Sequence, residues 1–346
     1  MPTYNLRELK AAAADHFAIR SGVNIPTPHP LAEQVGRMPL RELAEQFGEA
    51  WAASTGTPLR ATFNAFKAGI SSTDFGSAMG TGLREMMLHV FAAMSEHRKI
   101  TAPLEVRDFR TIDLDFLDIG GTLAPTGENG EIQAQDQGVI IENGGSAQLT
   151  SFARTLYISR VVIVNDSWNI LQRAFASLGG SSARLENAMV FQALEANPTL
   201  GDGEPLFHAD LGNVVAGTLD ATGLAQAMAA LRNQTTPSGQ VAGHRAAYLA
   251  VSPALEFTAI KLVHEAGLNL EVIASPNIPA ARWFLFADPT SAPVVTRLHL
   301  PGARDVPFRL EPTRPGDGRD GMALKLTTDL GVSVVSRVGC IRGGTV

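Results

Sequence analysis

The sequence predicts an α+β chain, and three observations lead there. Apolar residues recur at helical spacing through roughly the first hundred positions and then switch to strict alternation between 104 and 164. One helical stripe starts at Trp168 and continues almost to Pro198. Beyond it, short strands and helices alternate to about residue 310.

The elements follow in order. Asn5 can cap an Ala-rich helix over 6–20, and the run Asn24 to Pro30 stops it, because proline removes donors and restricts the residue before it. A second helix starts after Pro39, at the first-turn position proline favours, with Leu40, Leu43, Phe47 and Trp51 on one face. A third is expected over about 82–98, where Leu83, Met86, Met87, Val90, Phe91 and Met94 form a broad apolar face. These faces must pack on the rest of the chain or on another subunit. The Pro-rich spacers favour an extended arm over a bundle.

From 104 the period is two. Thr111 to Phe116 reads as one strand and 154–164 as another, with Gly120-Gly121, Asn129-Gly130 and Asn143-Gly144-Gly145 between them. Asn-Gly is a strong hairpin signal, since a type I′ turn needs positive φ twice. The expectation is a long polar β-hairpin over about 111–152, resting on a neighbour for want of a core of its own.

Asn165, Asp166 and Ser167 supply cap residues, and Trp168, Leu171, Phe175, Leu178, Leu185, Met189 and Leu194 carry the stripe until Asn197-Pro198. At 1.5 Å per residue this helix is roughly 40 Å long. Its middle holds Gly179 and Gly180, each costing about 1 kcal/mol relative to alanine. They read either as a break between two helices or as a functional bend.

Residues 199–310 read as an α/β-like second lobe. A helix is capped near Asp220, strands fall at 246–251, 270–274, 283–287 and 294–300, and a helix follows Pro253. A loop spans 312–321, and two last strands, 322–327 and 332–338, should return to the first lobe's sheet.

Composition excludes several functions. The chain has 346 residues, a net charge of −6 and a single cysteine, Cys340, so a disulfide framework and a multi-cysteine zinc site are out. The acidic balance argues against a sequence-independent binder of DNA or anionic membranes. No stretch approaches the roughly 18 apolar residues of a membrane helix, and the first ten residues lack a signal peptide's apolar run. Only five of the 28 basic residues are lysines, which leaves 23 arginines.

Each catalytic pattern tested is weak. Gly316 to Gly321 matches G-x-G-x-x-G as a string, but it follows a Pro-rich loop and leads into a strand, where a dinucleotide site needs a strand before it and a helix after it. His264-Glu265 lacks a second histidine, and His208 and Asp210 read as a structural polar contact rather than an acid/base pair. Asp113, Asp115 and Asp118 lack the calcium-loop pattern, and Cys340 has no nearby histidine to activate it. No metal, cofactor or catalytic residue is expected. What remains is a subunit whose loose parts neighbours complete.

At Tyr157-Ile-Ser-Arg160 through Val164-Asn165-Asp166, then Ala183-Arg184-Leu185-Glu186, Phe191, Asn197-Pro198, Asp202-Gly203, Leu206-Phe207-His208 and Gly212-Asn213, the chain resembles tailed-phage major capsid proteins of the Hong Kong 97 fold. It is most similar to the capsid portion of prohead protease/major capsid fusion proteins. The likeness extends through Leu270-Glu-Val-Ile273 to Trp283-Phe-Leu-Phe286-Ala-Asp288-Pro289, covering about 70–340.

The resemblance implies a structural shell protein rather than an enzyme, forming pentamers and hexamers of an icosahedral head around double-stranded DNA that it does not bind specifically. It implies an N-terminal arm with helices over 1–103 and a peripheral domain over 104–198, with an extended loop at about 111–152 and a spine helix at about 168–197. An axial domain over 199–310 and a return over 311–346 complete it. Met1 favours the arm staying in the particle. Portal, scaffold or decoration proteins are the implied partners, the virion the implied location after assembly in the host cytoplasm. An encapsulin-like compartment shares the fold and is the alternative; a metabolic enzyme is a third reading.

One departure matters: the fold's type member is crosslinked through a lysine in the extended loop, and no lysine lies between Lys99 and Lys261 here. Arginine–carboxylate pairs are the expected substitute, with Arg107, Arg110, Arg154 and Arg160 flanking a hairpin that carries Asp113, Asp115, Asp118, Glu128 and Glu131. Gly179 and Gly180 are the candidate hinge of the spine helix during shell expansion.

Overall fold

The structure is a computed structural model, and it describes residues 4–59, 62–119, 139–305, 307–313 and 320–344. It is α+β. Five helices come first: α1 (Leu6–Arg20), α2 (Ala32–Gly36), α3 (Leu40–Thr55), α4 (Thr62–Ser71) and α5 (Thr73–Ala93). Asn5 caps α1 by accepting the Arg7 N–H, and Pro39 stands at the N-cap of α3, one position earlier than expected. The third expected helix, 82–98, is α5, which begins at Thr73 and ends at Ala93. Gly76, Gly80 and Gly82 mask its start in the sequence. Gly76 and Gly82 are places of close approach, since a Cβ at Gly82 would press on Phe17 and one at Gly76 would stand 2.8 Å from Pro312.

A 3-10 turn, Glu96–Ile100, leads into β1 (Thr101–Glu105), β2 (Ile112–Ile119), β3 (Val139–Ala147) and β4 (Thr150–Ser159), then α6 (Arg160–Val164) and α7 (Trp168–Glu195). The remainder is β5 (Val214–Val215), α8 (Ala221–Asn233), β6 (Ala246–Val251), α9 (Glu256–Glu265), β7 (Glu271–Ala274), β8 (Trp283–Ala287), β9 (Val295–His299), β10 (Phe308–Thr313), β11 (Gly321–Val334) and β12 (Cys340–Gly343). No described helix is long and apolar enough to cross a membrane.

Four expectations are corrected. The strand expected over 154–164 ends at Ser159, and the Val-rich remainder is α6, which buries Ile163 and turns Val161 outward. The hairpin pairs β2 with β3, while β4 joins β11. Asn143-Gly144-Gly145 is not a turn but part of β3, where a Cβ at Gly144 would stand 2.5 Å from the Val335 carbonyl oxygen. Finally, 322–327 and 332–338 are not two strands: β11 is continuous to Val334, running through Gly331 beneath the Gln148 carbonyl, and β12 follows. The hairpin tip at 120–138 lies outside the described residues, as do Gly316 and Gly318.

The chain clusters into two compact units with other boundaries than the four expected segments. The first comprises Met1–Met94, Ser151–Arg184 and Asp305–Asp329. Its core joins Leu9, Phe17, Phe47, Phe75, Met79, Leu83 and Met87 to Trp168, Leu171, Phe175 and Met322, so the N-terminal helices form a packed layer here. Phe17 stacks on Trp168 with ring centroids 4.9 Å apart, and Phe91 meets Phe308 edge-on at 5.4 Å. α3 and α4 cross where Ala44 and Gly48 face Ala65 and Gly69, so closely that a Cβ on either glycine would overlap a carbonyl of the other helix. β10 pairs antiparallel with β11, setting Pro312 opposite Leu324.

The second unit comprises Ser95–Thr150, Leu185–Arg304 and Leu330–Val346. Its main sheet has the order β5-β12-β8-β6-β7. Every residue of β8 is buried because both faces are covered: Phe284 and Phe286 join a core with Val190, Phe191 and Leu194 of α7, while Trp283 and Leu285 join Leu224 and Leu231 of α8. β1 pairs parallel with β9, with Pro103 opposite Arg297, and β9 pairs antiparallel with the end of β11. A fourth cluster of Val106, Leu114, Ala147, Leu149, Leu298 and Val335 anchors the hairpin's base.

Candidate functional site

The expected contact residues divide between the units. Arg107, Arg110, Asp113 and Asp115 are exposed in the second unit, and the Arg110 guanidinium lies 3.7 Å from Asp108. Asp118 lies in β2, but its side chain is outside the described residues, as are Glu128 and Glu131 altogether. Arg154 is exposed on β4 in the first unit, where Arg160 is held by Asp320 at 2.8 Å. The backbone carbonyl of Asp320 accepts from Arg160 N–H and Tyr157 O–H, which ties the β4–α6 junction to the start of β11.

Gly179 and Gly180 lie inside an uninterrupted α7, which rules out the break between two helices. A Cβ on Gly179 would stand 2.5 Å from the Met87 carbonyl oxygen, so the missing side chain lets α5 approach α7. At Gly180 the nearest atom would be the Met94 sulfur at 2.9 Å.

The strongest electrostatic feature was not singled out by sequence reasoning. Glu186, with its side chain 3% exposed, is surrounded by three basic groups. Its Oε2 accepts from Arg98 Nε at 2.8 Å and lies 3.1 Å from His97 Nε2, while Oε1 accepts from Arg98 Nη2 at 3.0 Å and Arg297 Nη1 at 3.4 Å. Arg297 Nε donates to Thr101 Oγ1 at 2.8 Å. Burial alone would raise the Glu186 pKa, but the His97 hydrogen bond and the Arg98 charge outweigh it and hold the carboxyl at about 2. The cluster pins the 3-10 turn, β1 and β9 to the end of α7. A signal was present: Ser182, Glu186, Val190 and Leu194 repeat every four residues, which puts a carboxylate on a buried stripe.

The other polar groups hold rather than react. Arg337 forks onto both oxygens of Asp202, and this hydrogen bonding pulls the Asp202 pKa down. Lys99 donates to Glu271, which raises the lysine pKa. His208 and Asp210 sit 3.5 Å apart on the exposed surface. Cys340 is fully buried, and burial pushes its thiol pKa well up, away from the reactive thiolate. Among the described residues, a cavity of about 680 Å³ in the first unit is lined by one lysine, Lys67, and one carboxylate, Asp320, already engaged by Arg160. No group of three or more His, Cys, Asp or Glu side chains that could hold a metal occurs among the described residues.

Residues 142–343 match a family model described as phage capsid protein. No curated protein matches the chain in sequence. Among solved structures, a virus-like particle from Pyrococcus furiosus is 13% identical, with 75% of this chain and 96% of that one covered at a TM-score of 0.49. The capsid of Ralstonia phage GP4 is also 13% identical, covering 71% and 87% at 0.49. An encapsulin complex from Synechococcus elongatus is 8% identical, covering 72% and 86% at 0.46.

Proposed function

Because the chain belongs to the phage capsid protein family, we propose that it is the major subunit of an icosahedral phage head of the Hong Kong 97 fold, assembling as pentamers and hexamers around double-stranded DNA. The observation that carries this reading is the family match across 142–343, which takes in β4, the long α7 and the whole β5-β12-β8-β6-β7 sheet. The role is structural. In this reading α7 is the spine, the β2–β3 hairpin is the extended loop laid over a neighbour, and 199–310 forms the axial domain. Portal, scaffold or decoration proteins would be its partners in the virion. Negative-stain images of the purified protein test it: closed shells, with DNA inside when recovered from infected cells, are expected. Dispersed monomers would overturn it, and shells filled with a protein cargo would favour the encapsulin-like alternative.

Two finer proposals follow. Subunits are held without lysine crosslinks in the extended loop, because no lysine lies between Lys99 and Lys261, and exposed Arg107, Arg110 and Arg154 with Asp113 and Asp115 supply polar contacts between copies. Boiling mature particles in detergent should give one band near 36.7 kDa, and a covalent ladder would refute the first point. The Gly179-Gly180 step is the bending point of α7 during expansion. Shells of Gly180→Ala should assemble but expand less readily than the wild type; unchanged expansion leaves the glycines a packing contact.

A further inference from the structure

We infer that His16 is a proton-sensitive clasp within the first unit: neutral, it seats the corner at residues 28–37 on α1, and protonated, it loosens that corner while α3 stays folded. The inference is independent of the shell reading above.

The corner is anchored near each end. His29 N–H donates to Asp15 Oδ2 at 2.7 Å, and Val35 is fully buried in the core of the unit. Gly36 then lies against the His16 ring, where a Cβ would stand 2.5 Å from Nδ1, so the missing side chain is what lets α2 close on the imidazole. The other ring nitrogen, Nε2, is buried and has no hydrogen-bond partner among the described residues. Beside the ring is a cavity of about 510 Å³ with Ile19, Pro28, Pro30 and Ala32 as its apolar walls.

A neutral imidazole suits this place, because one of its nitrogens stays a bare acceptor. An imidazolium does not. Both nitrogens then carry an N–H, and a buried charged donor without an acceptor costs more than a neutral orphan.

The charged groups around the ring offer no free acceptor. On α1, Arg20 follows one turn later and adds like charge, while Asp15 holds the His29 N–H. On the corner, Glu33 is paired with Arg37 at 2.7 Å, and His29 Nδ1 accepts from Leu31 N–H at 3.2 Å. At the turn between α6 and α7, Asp166 attracts a charged ring, but its oxygens are engaged by Arg20 and by Leu40 N–H. Burial and the Arg20 charge outweigh Asp166 and hold the His16 pKa below its ordinary 6.5.

The direction with pH follows. Opening the corner returns the ring to water and to its ordinary value, so the open form binds the proton more readily than the closed one. His16 therefore favours the closed corner above 6.5, and that support is lost as pH falls from there through the depressed value.

Hydrogen exchange on the intact chain, corrected for the intrinsic pH dependence of exchange, tests this. From about pH 7.5 to about pH 5.5, protection of the Leu31, Ala32 and Val35 amides should fall by about three- to tenfold, the ceiling for one group with an ordinary value of 6.5. Protection within α3 should not change. His16→Gln, which cannot take the proton, should make protection at the corner independent of pH, whereas His29→Gln should keep the wild-type fall. Unchanged wild-type protection, an equal fall within α3, or a fall that survives His16→Gln overturns the inference. Should His16→Gln not fold, NMR titration of the wild-type His16 ring decides: a midpoint below 6.5 supports the clasp, and one at or above 6.5 overturns it.

Discussion

Replacing Glu186 by glutamine keeps the side chain's shape and removes its charge, leaving Arg98 and Arg297 facing each other beside His97 in the interior of the second unit. Two estimates of the cost agree. Holding the carboxyl at about 2 rather than its ordinary 4.5 corresponds to about 3 kcal/mol of stabilisation at neutral pH. Removing one partner from a buried ionic cluster costs about 3–5 kcal/mol. The sign with pH is fixed: the folded pKa is depressed, so the stabilisation is complete above 4.5 and is lost as pH falls from there towards about 2. Urea unfolding of the unassembled subunit, followed by the signal of the second unit, should show Glu186→Gln lowering the midpoint strongly at pH 7, with wild type and variant converging towards pH 2. A loss of less than about 1 kcal/mol at pH 7, the scale of an exposed pair, would refute the reasoning. So would an unchanged difference between the two proteins at pH 2.5.

Three more outcomes are expected. Gly69→Ala or Gly48→Ala, which would drive a methyl into the facing helix's carbonyl, should destabilise the first unit by about 1–3 kcal/mol in thermal melts, whereas Ala68→Gly on the same helix should cost no more than about 1 kcal/mol. Gly179→Ala and Gly180→Ala should differ in sign: the first meets backbone at 2.5 Å and destabilises, while the second meets the flexible end of Met94 and gains up to about 1 kcal/mol of helix propensity. Cys340 should resist alkylation in the folded subunit and react fully in denaturant; rapid native labelling would contradict its burial.

What the sequence made legible was local. β6 and β8 fall on the short apolar runs expected at 246–251 and 283–287, and α7 runs along its apolar stripe to Glu195. Arg160-Val-Val-Ile-Val164 misleads because β-branched residues fit either period. What bends it into α6 is the neighbouring turn, where Asp166 adopts φ 48° and receives Leu40 N–H from a distant part of the chain. Gly76 and Gly82 of α5 and Gly144 and Gly145 of β3 look like punctuation until the atoms packed against them, a distant segment's side chain or backbone, are seen. The partners of Glu186 are hidden in the same way, since they lie 88 to 111 positions away and only the four-residue stripe on α7 hints at the buried carboxylate. The strings between Tyr157 and Pro289, by contrast, all fall within the family match, so identity was more readable than the site.

The prolines at Pro103 and Pro312 stand on β1 and β10, each of which has a single strand neighbour among the described residues. A proline offers no N–H along an open edge, so a strand from another molecule cannot zip onto it. The edge-on addition of a foreign strand, the route to irreversible main-chain aggregation, is thereby disfavoured along β1 and β10.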